Sequence, residues 1–253
     1  MHQKKDAPLK APRLDVHNSD VPVLCRACEA RHKGICGSLT PDQLIQLSRH
    51  TTKHAYRSQS ELISVGEDVH TYSNILSGVV KLTKLMADGR QQIVGLQFAP
   101  DFLGRIFSQQ SSYSAEAATD VRVCSFPKSV VEDLTRTAPN MEHALHEQTL
   151  KELDEARDWM LTLGRKTATE KVASFLYLIA SNIDPEMVDE SPVIRFELPL
   201  KRLEIADFLG LTIETVSRQI TKLRKANIIE LVNNRTVIVP SMARLEAACE
   251  NDE

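Results

Sequence analysis

A chain of 253 residues with 42% hydrophobic residues is long enough for two domains, each with its own core. Lys and Arg number 31 against 34 Asp and Glu, a net charge of -3, so any nucleic-acid partner must be held by a local patch. No apolar run reaches membrane-spanning length, and the opening MHQKKDAPLKAPRLDVHNSD lacks the apolar segment of a signal peptide; a cytoplasmic chain with reduced thiols is expected.

Residues 1–19 are polar and carry two prolines, the composition of a disordered tail. Three of the five cysteines follow, as Cys25-x2-Cys28-x7-Cys36, and Cys124 lies far downstream in a strand-like run. Three thiolates on one short segment and one from a folded domain form a candidate four-sulfur site for iron–sulfur or zinc. Spacing alone leaves those two nearly even, and His32 within the segment also allows a Cys3His zinc site. Thr40-Pro-Asp-Gln then predicts a helix start, with threonine at the N-cap and Pro41 at the first helical position.

From about Tyr56 to Phe126 the pattern changes to period two. Asp88-Gly89 signals a tight hairpin, and Gly66, Gly78, Gly89, Gly95 and Gly104 punctuate the region as the turns of a small barrel or roll would. The cysteine loop and roll together make a predicted domain over 20–137. One long helix is predicted over 138–164. On its wheel Met141, Leu145, Leu153, Ala156, Trp159, Met160 and Leu163 share an arc of about 120°, with Glu152 inside it. That stripe is expected to pack on the same helix of a second copy, making a homodimer, while Leu150 and Leu161 face the roll.

Residues 165–245 read as a second domain: an apolar helix, an acidic loop over 184–192, a short extended piece at Phe196, two helices meeting at Gly210, and a terminal hairpin. The last residues, 246–253, are acidic and expected to fray, with Cys249 a bystander. From Arg202 to Thr221 the spacing is that of a helix-turn-helix, with Ala206 at the crossing, Gly210 in the turn and Val216 as anchor. Glu214, Ser217 and Arg218, flanked by Thr212 and Thr215, would then face double-stranded DNA. Arginine suits guanine and glutamate suits the cytosine amino group. Val232-Asn-Asn-Arg-Thr-Val would form a wing. The glycines form no phosphate loop, and His143 and His146 are expected to face solvent, so no enzyme is expected.

This order of cysteine loop, β-roll, long helix and winged helix-turn-helix resembles the CRP/FNR superfamily of bacterial transcription regulators from about residue 22 to 245. The cysteine spacing, together with Leu211-Thr-Ile-Glu-Thr-Val-Ser-Arg, is similar to its FNR branch, including FnrL/FixK-like regulators. The resemblance implies an α+β fold: an N-terminal cyclic-nucleotide-binding-like β-roll, a dimerisation helix and a C-terminal winged helix-turn-helix. It implies an oxygen-labile [4Fe–4S] cluster on Cys25, Cys28, Cys36 and Cys124. It also implies an activator that reads TTGAT-type palindromes as a dimer and engages RNA polymerase. A zinc- or thiol-based regulator with another input is the alternative. Cyclic nucleotide is not expected, because cyclic-AMP binders use Gly-Glu and Arg-Ser pairs where this chain has Gly104-Arg105 and Tyr113-Ser114. Two copies of Glu152 would repel across the dimer. Ala156 stands where some FNR proteins carry an acid, which suggests a dimer more persistent than the archetype's.

Overall fold

The computed structural model describes Cys25, Cys28, Arg31 and residues 34–183 and 193–250; the tail 1–19, His32 and the acidic loop 184–192 lie outside the described residues. After a 3-10 turn at Ile35–Ser38 comes helix α1, Pro41–Ser48. Its start is the one expected. The Thr40 hydroxyl accepts from the Gln43 N–H, the Gln43 side chain accepts from the Thr40 N–H, and Pro41 opens the helix.

Eight strands then build the roll: β1 Thr52–Tyr56, β2 Glu61–Ile63, β3 Thr71–Ser77, β4 Val79–Leu85, β5 Gln91–Phe98, β6 Phe102–Leu103, β7 Ser114–Ala117 and β8 Val121–Pro127. They form two antiparallel four-stranded sheets, ordered β1-β8-β3-β6 and β2-β7-β4-β5. Ile75, Val80, Leu103, Val121 and Val123 fill the space between them. The β4–β5 hairpin turns at Asp88-Gly89 as expected, with Gly89 at φ +86°. Gly78, at φ +91°, joins β3 to β4 where a Cβ would overlap the Asp120 carbonyl oxygen. Gly95 is no turn residue. It lies inside β5, where the register with β4 shifts between Leu82 and Thr83.

A helix unseen in the sequence follows: α2, Lys128–Thr137, entered from Pro127 without a side-chain cap. Helix α3 runs Pro139–Arg165, a little longer than expected at its end. Its exposed pairs, such as Lys151–Glu155 at 3.5 Å and Arg157–Asp154 at 3.0 Å, contribute only a few tenths of a kcal/mol each. Packing at its two ends does more. Met141 is fully buried, and Trp159 packs on Phe208 with ring centroids 4.5 Å apart.

This divides the expected dimer stripe. Met141, Leu145 and Trp159 are taken up by the chain's own core, whereas Leu153, Ala156, Met160 and Leu163 stay exposed. Glu152 is exposed with them, accepts from Gln148 at 3.4 Å, and its charge is felt by Asp101 and Tyr113 of the roll. Leu150 and Leu161, assigned to the roll, are 60% and 58% exposed. A helical wheel gives the period of a pattern, and only the tertiary partner decides which edge of the arc turns inward.

The second domain comprises α4 Ala168–Ile183, β9 Ile194–Glu197, α5 Arg202–Leu209, α6 Ile213–Lys225, β10 Glu230–Val232, β11 Thr236–Val239 and α7 Met242–Ala247. Thr167 and Glu170 cap α4 reciprocally: the Glu170 carboxylate accepts from the Thr167 N–H at 2.6 Å, and the Thr167 hydroxyl accepts from the Glu170 N–H. Phe175, Leu176 and Ile179 make α4 the spine of this core, each burial contributing about 1.5–3 kcal/mol. The three strands pair in the order β10-β11-β9 behind α6. The expected fraying of the acidic tail does not begin at 246. Leu245, Ala248 and Cys249 are buried in the same core, and the Cys249 thiol donates to the Leu245 carbonyl. Among the described residues, no helix is long and apolar enough to cross a membrane.

Candidate metal centre and nucleic-acid interface

At its described positions the cysteine segment turns tightly, with Cys28 itself outside any helix. The Cys28 N–H donates to the Cys25 carbonyl at 3.2 Å and the Arg31 N–H to the Cys28 carbonyl at 3.1 Å, while Cys36 sits in the 3-10 turn. Cys124 comes from the middle of β8, which is the second strand of its sheet. There Cys124 stands opposite Lys53 of β1 on one side and Asn74 of β3 on the other. Cys25, Cys28, Cys36 and Cys124, all free thiols, line one pocket together with Leu44, Leu47 and Phe126. Thus the structure brings all four expected sulfurs to one corner.

Among the described residues, no three or more His, Cys, Asp or Glu side chains converge as ligands of one metal ion. Four thiols around one pocket are a donor set that iron–sulfur and zinc both accept. Two polar neighbours, Lys53 and Asn74, went unremarked in the sequence. Asn74 is almost wholly buried, donates from Nδ2 to the Cys36 sulfur at 3.3 Å, and leaves its Oδ1 without a hydrogen-bond partner. The one available signal was an asparagine in a strand of otherwise apolar inward residues.

Electrostatics at the corner follow from burial. Desolvation pushes the Cys124 thiol up to about 12, with Cys28 and Cys25 adding to the rise and the Lys53 charge opposing it. Cys36 and Cys25 are raised by burial too, and by neighbouring thiols. Left to themselves these groups are neutral thiols; a bound cationic centre is what would hold them as thiolates. The corner also touches α3 directly. Ile35, Leu39, Leu44, Leu47, Phe126 and Cys124 share one apolar cluster with Ala138 and Met141, and Cys36 and Leu145 pack against it.

At the other end of the molecule, Gly210 closes α5 in the left-handed conformation, φ +61°, as the turn requires. Thr212 caps α6 by accepting from the Thr215 N–H at 3.2 Å. Val216, Ile220 and Leu223 anchor α6 in the core, leaving Glu214, Ser217 and Arg218 exposed on its outer face with Thr212 beside them and Thr215 half-buried. Arg218 donates to the Thr215 hydroxyl at 3.4 Å and does not pair with Glu214, so neither charge neutralises the other on the exposed face. The N-terminal backbone of α6 and the Thr212 hydroxyl hold the Glu214 carboxyl below its usual range. Lys222, Arg224 and Lys225 close the helix with positive charge. The wing turns at Asn233 and Asn234, both at positive φ, and presents Arg235.

Comparison with known proteins supports both halves. Residues 170–248 match the Crp-like helix-turn-helix domain, and residues 53–138 match the cyclic nucleotide-binding domain. The chain is 52% identical over 234 residues to a probable transcriptional activator of Rhizobium leguminosarum bv. viciae, covering 92% of this chain and 96% of that one. It is 40% identical over 231 residues to the transcriptional activator protein FnrL of Cereibacter sphaeroides, covering 90% and 93%. The structure of FixK2 from Bradyrhizobium japonicum superposes with a TM-score of 0.71 at 30% identity, over 80% of this chain and 99% of that chain.

Proposed function

The chain belongs to the CRP/FNR superfamily of transcription regulators, and on that footing we propose that it is an oxygen-responsive activator that binds palindromic DNA as a homodimer. A regulator of this kind works in the cytoplasm, with RNA polymerase as its partner, and is not an enzyme. Cys25, Cys28, Cys36 and Cys124 would hold a [4Fe–4S] group, which would supply a redox centre sensitive to dioxygen. The observation that carries the reading is the shared pocket of these thiols, lined by the same apolar cluster that seats the first turn of α3. Packing at the corner therefore bears on the helix whose exposed Leu153, Ala156, Met160 and Leu163 offer a face to a second copy. Glu214, Ser217 and Arg218 then read TTGAT-type half-sites, one from each subunit.

The roll belongs to a nucleotide-binding family, yet its residues favour no cyclic nucleotide here. Arg105 donates to the Ser112 hydroxyl at 2.9 Å, and the Glu152 carboxylate near Tyr113 opposes its charge where a cyclic phosphate would need a cation.

Anaerobic purification with iron and sulfide analysis, followed by DNA binding before and after air, tests the reading. Coloured protein containing iron and sulfide that loses DNA affinity in air is the expected result. Colourless protein with stoichiometric zinc would overturn it. Because Ala156 is uncharged, the cluster-free chain is expected to remain dimeric at micromolar concentration; a clean monomer on sedimentation would sink that part.

A further inference from the structure

Lys81 lies on β4 with only 4% of its surface exposed, and its ammonium bridges two carboxylates from different domains. Glu116 of β7 accepts at 2.9 Å from within the roll, and Glu204 of α5 accepts at 2.5 Å from the DNA-reading head. Glu204 has a second duty: its other oxygen accepts from the Lys201 N–H at 2.7 Å and caps the first helix of the helix-turn-helix. Around this contact Val79, Ile93, Leu96 and Phe98 of the roll share one apolar cluster with Phe208 and Leu209 of α5. Gln92 donates to the Phe208 carbonyl at 3.3 Å.

Apolar faces hold two domains together but tolerate sliding, whereas a buried ammonium between two carboxylates fixes one register. Burial favours a neutral lysine, yet hydrogen bonds to Glu204 and Glu116 outweigh it and keep the charge on Lys81. Glu214, Ser217 and Arg218 are exposed while this contact is made. We propose that Lys81 is a positioning residue for DNA binding: through Glu204 it latches each reading head to its roll in the orientation that two half-sites require. A head that samples other orientations binds with an affinity reduced by the fraction of time it is correctly placed. Lys81 itself touches no DNA.

The proposal rests on the DNA-binding reading above, and one experiment separates the two. Trp159, the only tryptophan, packs on Phe208 of α5 and reports on the seat of the head. Full-length protein purified anaerobically, wild type, Lys81→Met, Glu204→Gln and the double variant, is titrated with a duplex carrying inverted TTGAT half-sites, and acrylamide quenching of Trp159 is measured in parallel. Glu204→Gln keeps the capping oxygen and removes the charge, so it tests the latch even if Lys81→Met folds poorly. Each single variant is expected to lose about five- to twentyfold in affinity with Trp159 more accessible, and the double variant to lose no more than either single one. The salt dependence of binding is expected to keep its slope. Unchanged or increased affinity, or a slope reduced by about one as for a lost phosphate contact, overturns the latch. A wild type that ignores the duplex overturns the DNA reading instead, and Trp159 quenching then still tests whether Lys81 seats the head.

Discussion

The side chains of the reading face, Thr212 to Arg218, come from consecutive turns of one capped helix, whereas the four thiols come from a segment near residue 30 and from a strand in the middle of a sheet. The first arrangement is set by local rules: a cap, a glycine turn, a buried stripe of Val216, Ile220 and Leu223. The second exists only once the roll has folded and α1 has closed over it. A site assembled that way depends on the whole fold, and its occupancy can in turn bear on distant contacts. A site on one helix does its work wherever that helix is carried.

The comparison breaks most visibly at Cys124. Cys124→Ser is expected to abolish bound iron and sulfide and anaerobic DNA binding together, while the melting of the reading head stays unchanged; retention of iron would remove the corner from the site. A smaller effect is expected at the joint between the regions. Phe208→Ala should cost about 3–5 kcal/mol in the head's stability, read by urea unfolding with Trp159 as the probe. At the reading face, Arg218→Ala should cost about 1–3 kcal/mol and relax preference at a single half-site position. Equal weakening on every sequence would assign it to a phosphate.

The smallest effect concerns the acid on the exposed stripe of α3. Burial and the nearby Asp101 carboxylate push Glu152 up to about 7, above its unfolded value. A carboxyl raised in this way favours the folded state below its unfolded pKa, and that advantage is lost as pH rises through the folded one. Glu152→Gln should therefore raise the melting temperature modestly at pH 8 and leave it unchanged near pH 4. An equal gain at both values would show that the charge is not the cause.

What the sequence disclosed follows the same division. Thr40-Pro41, Asp88-Gly89, Gly210 and Val216 were legible because each encodes a local conformation or period. The four cysteines were legible as a set, but Lys53 and Asn74 beside them were not, since only strand register brings them opposite Cys124. Lys81 and Glu204 lie 123 residues apart, and no spacing links them. Helix α2 carries no side-chain cap, which removed its clearest start signal. Met141 and Trp159 were assigned outward because they share a stripe with Leu153 and Met160; the wheel could not show that the roll and the head claim one edge of it.

Helix α3 has 27 residues, so it is about 40 Å long. Met141 is gripped at one end by the cysteine corner and Trp159 near the other by α5, with a mostly bare midsection between. An α-helix resists stretching along its axis, but it can turn as a rod. The corner and the head are thus two cranks on one shaft. Because the helix is stiff, a shift or a turn imposed at Met141 would be carried as a rigid-body displacement to Trp159.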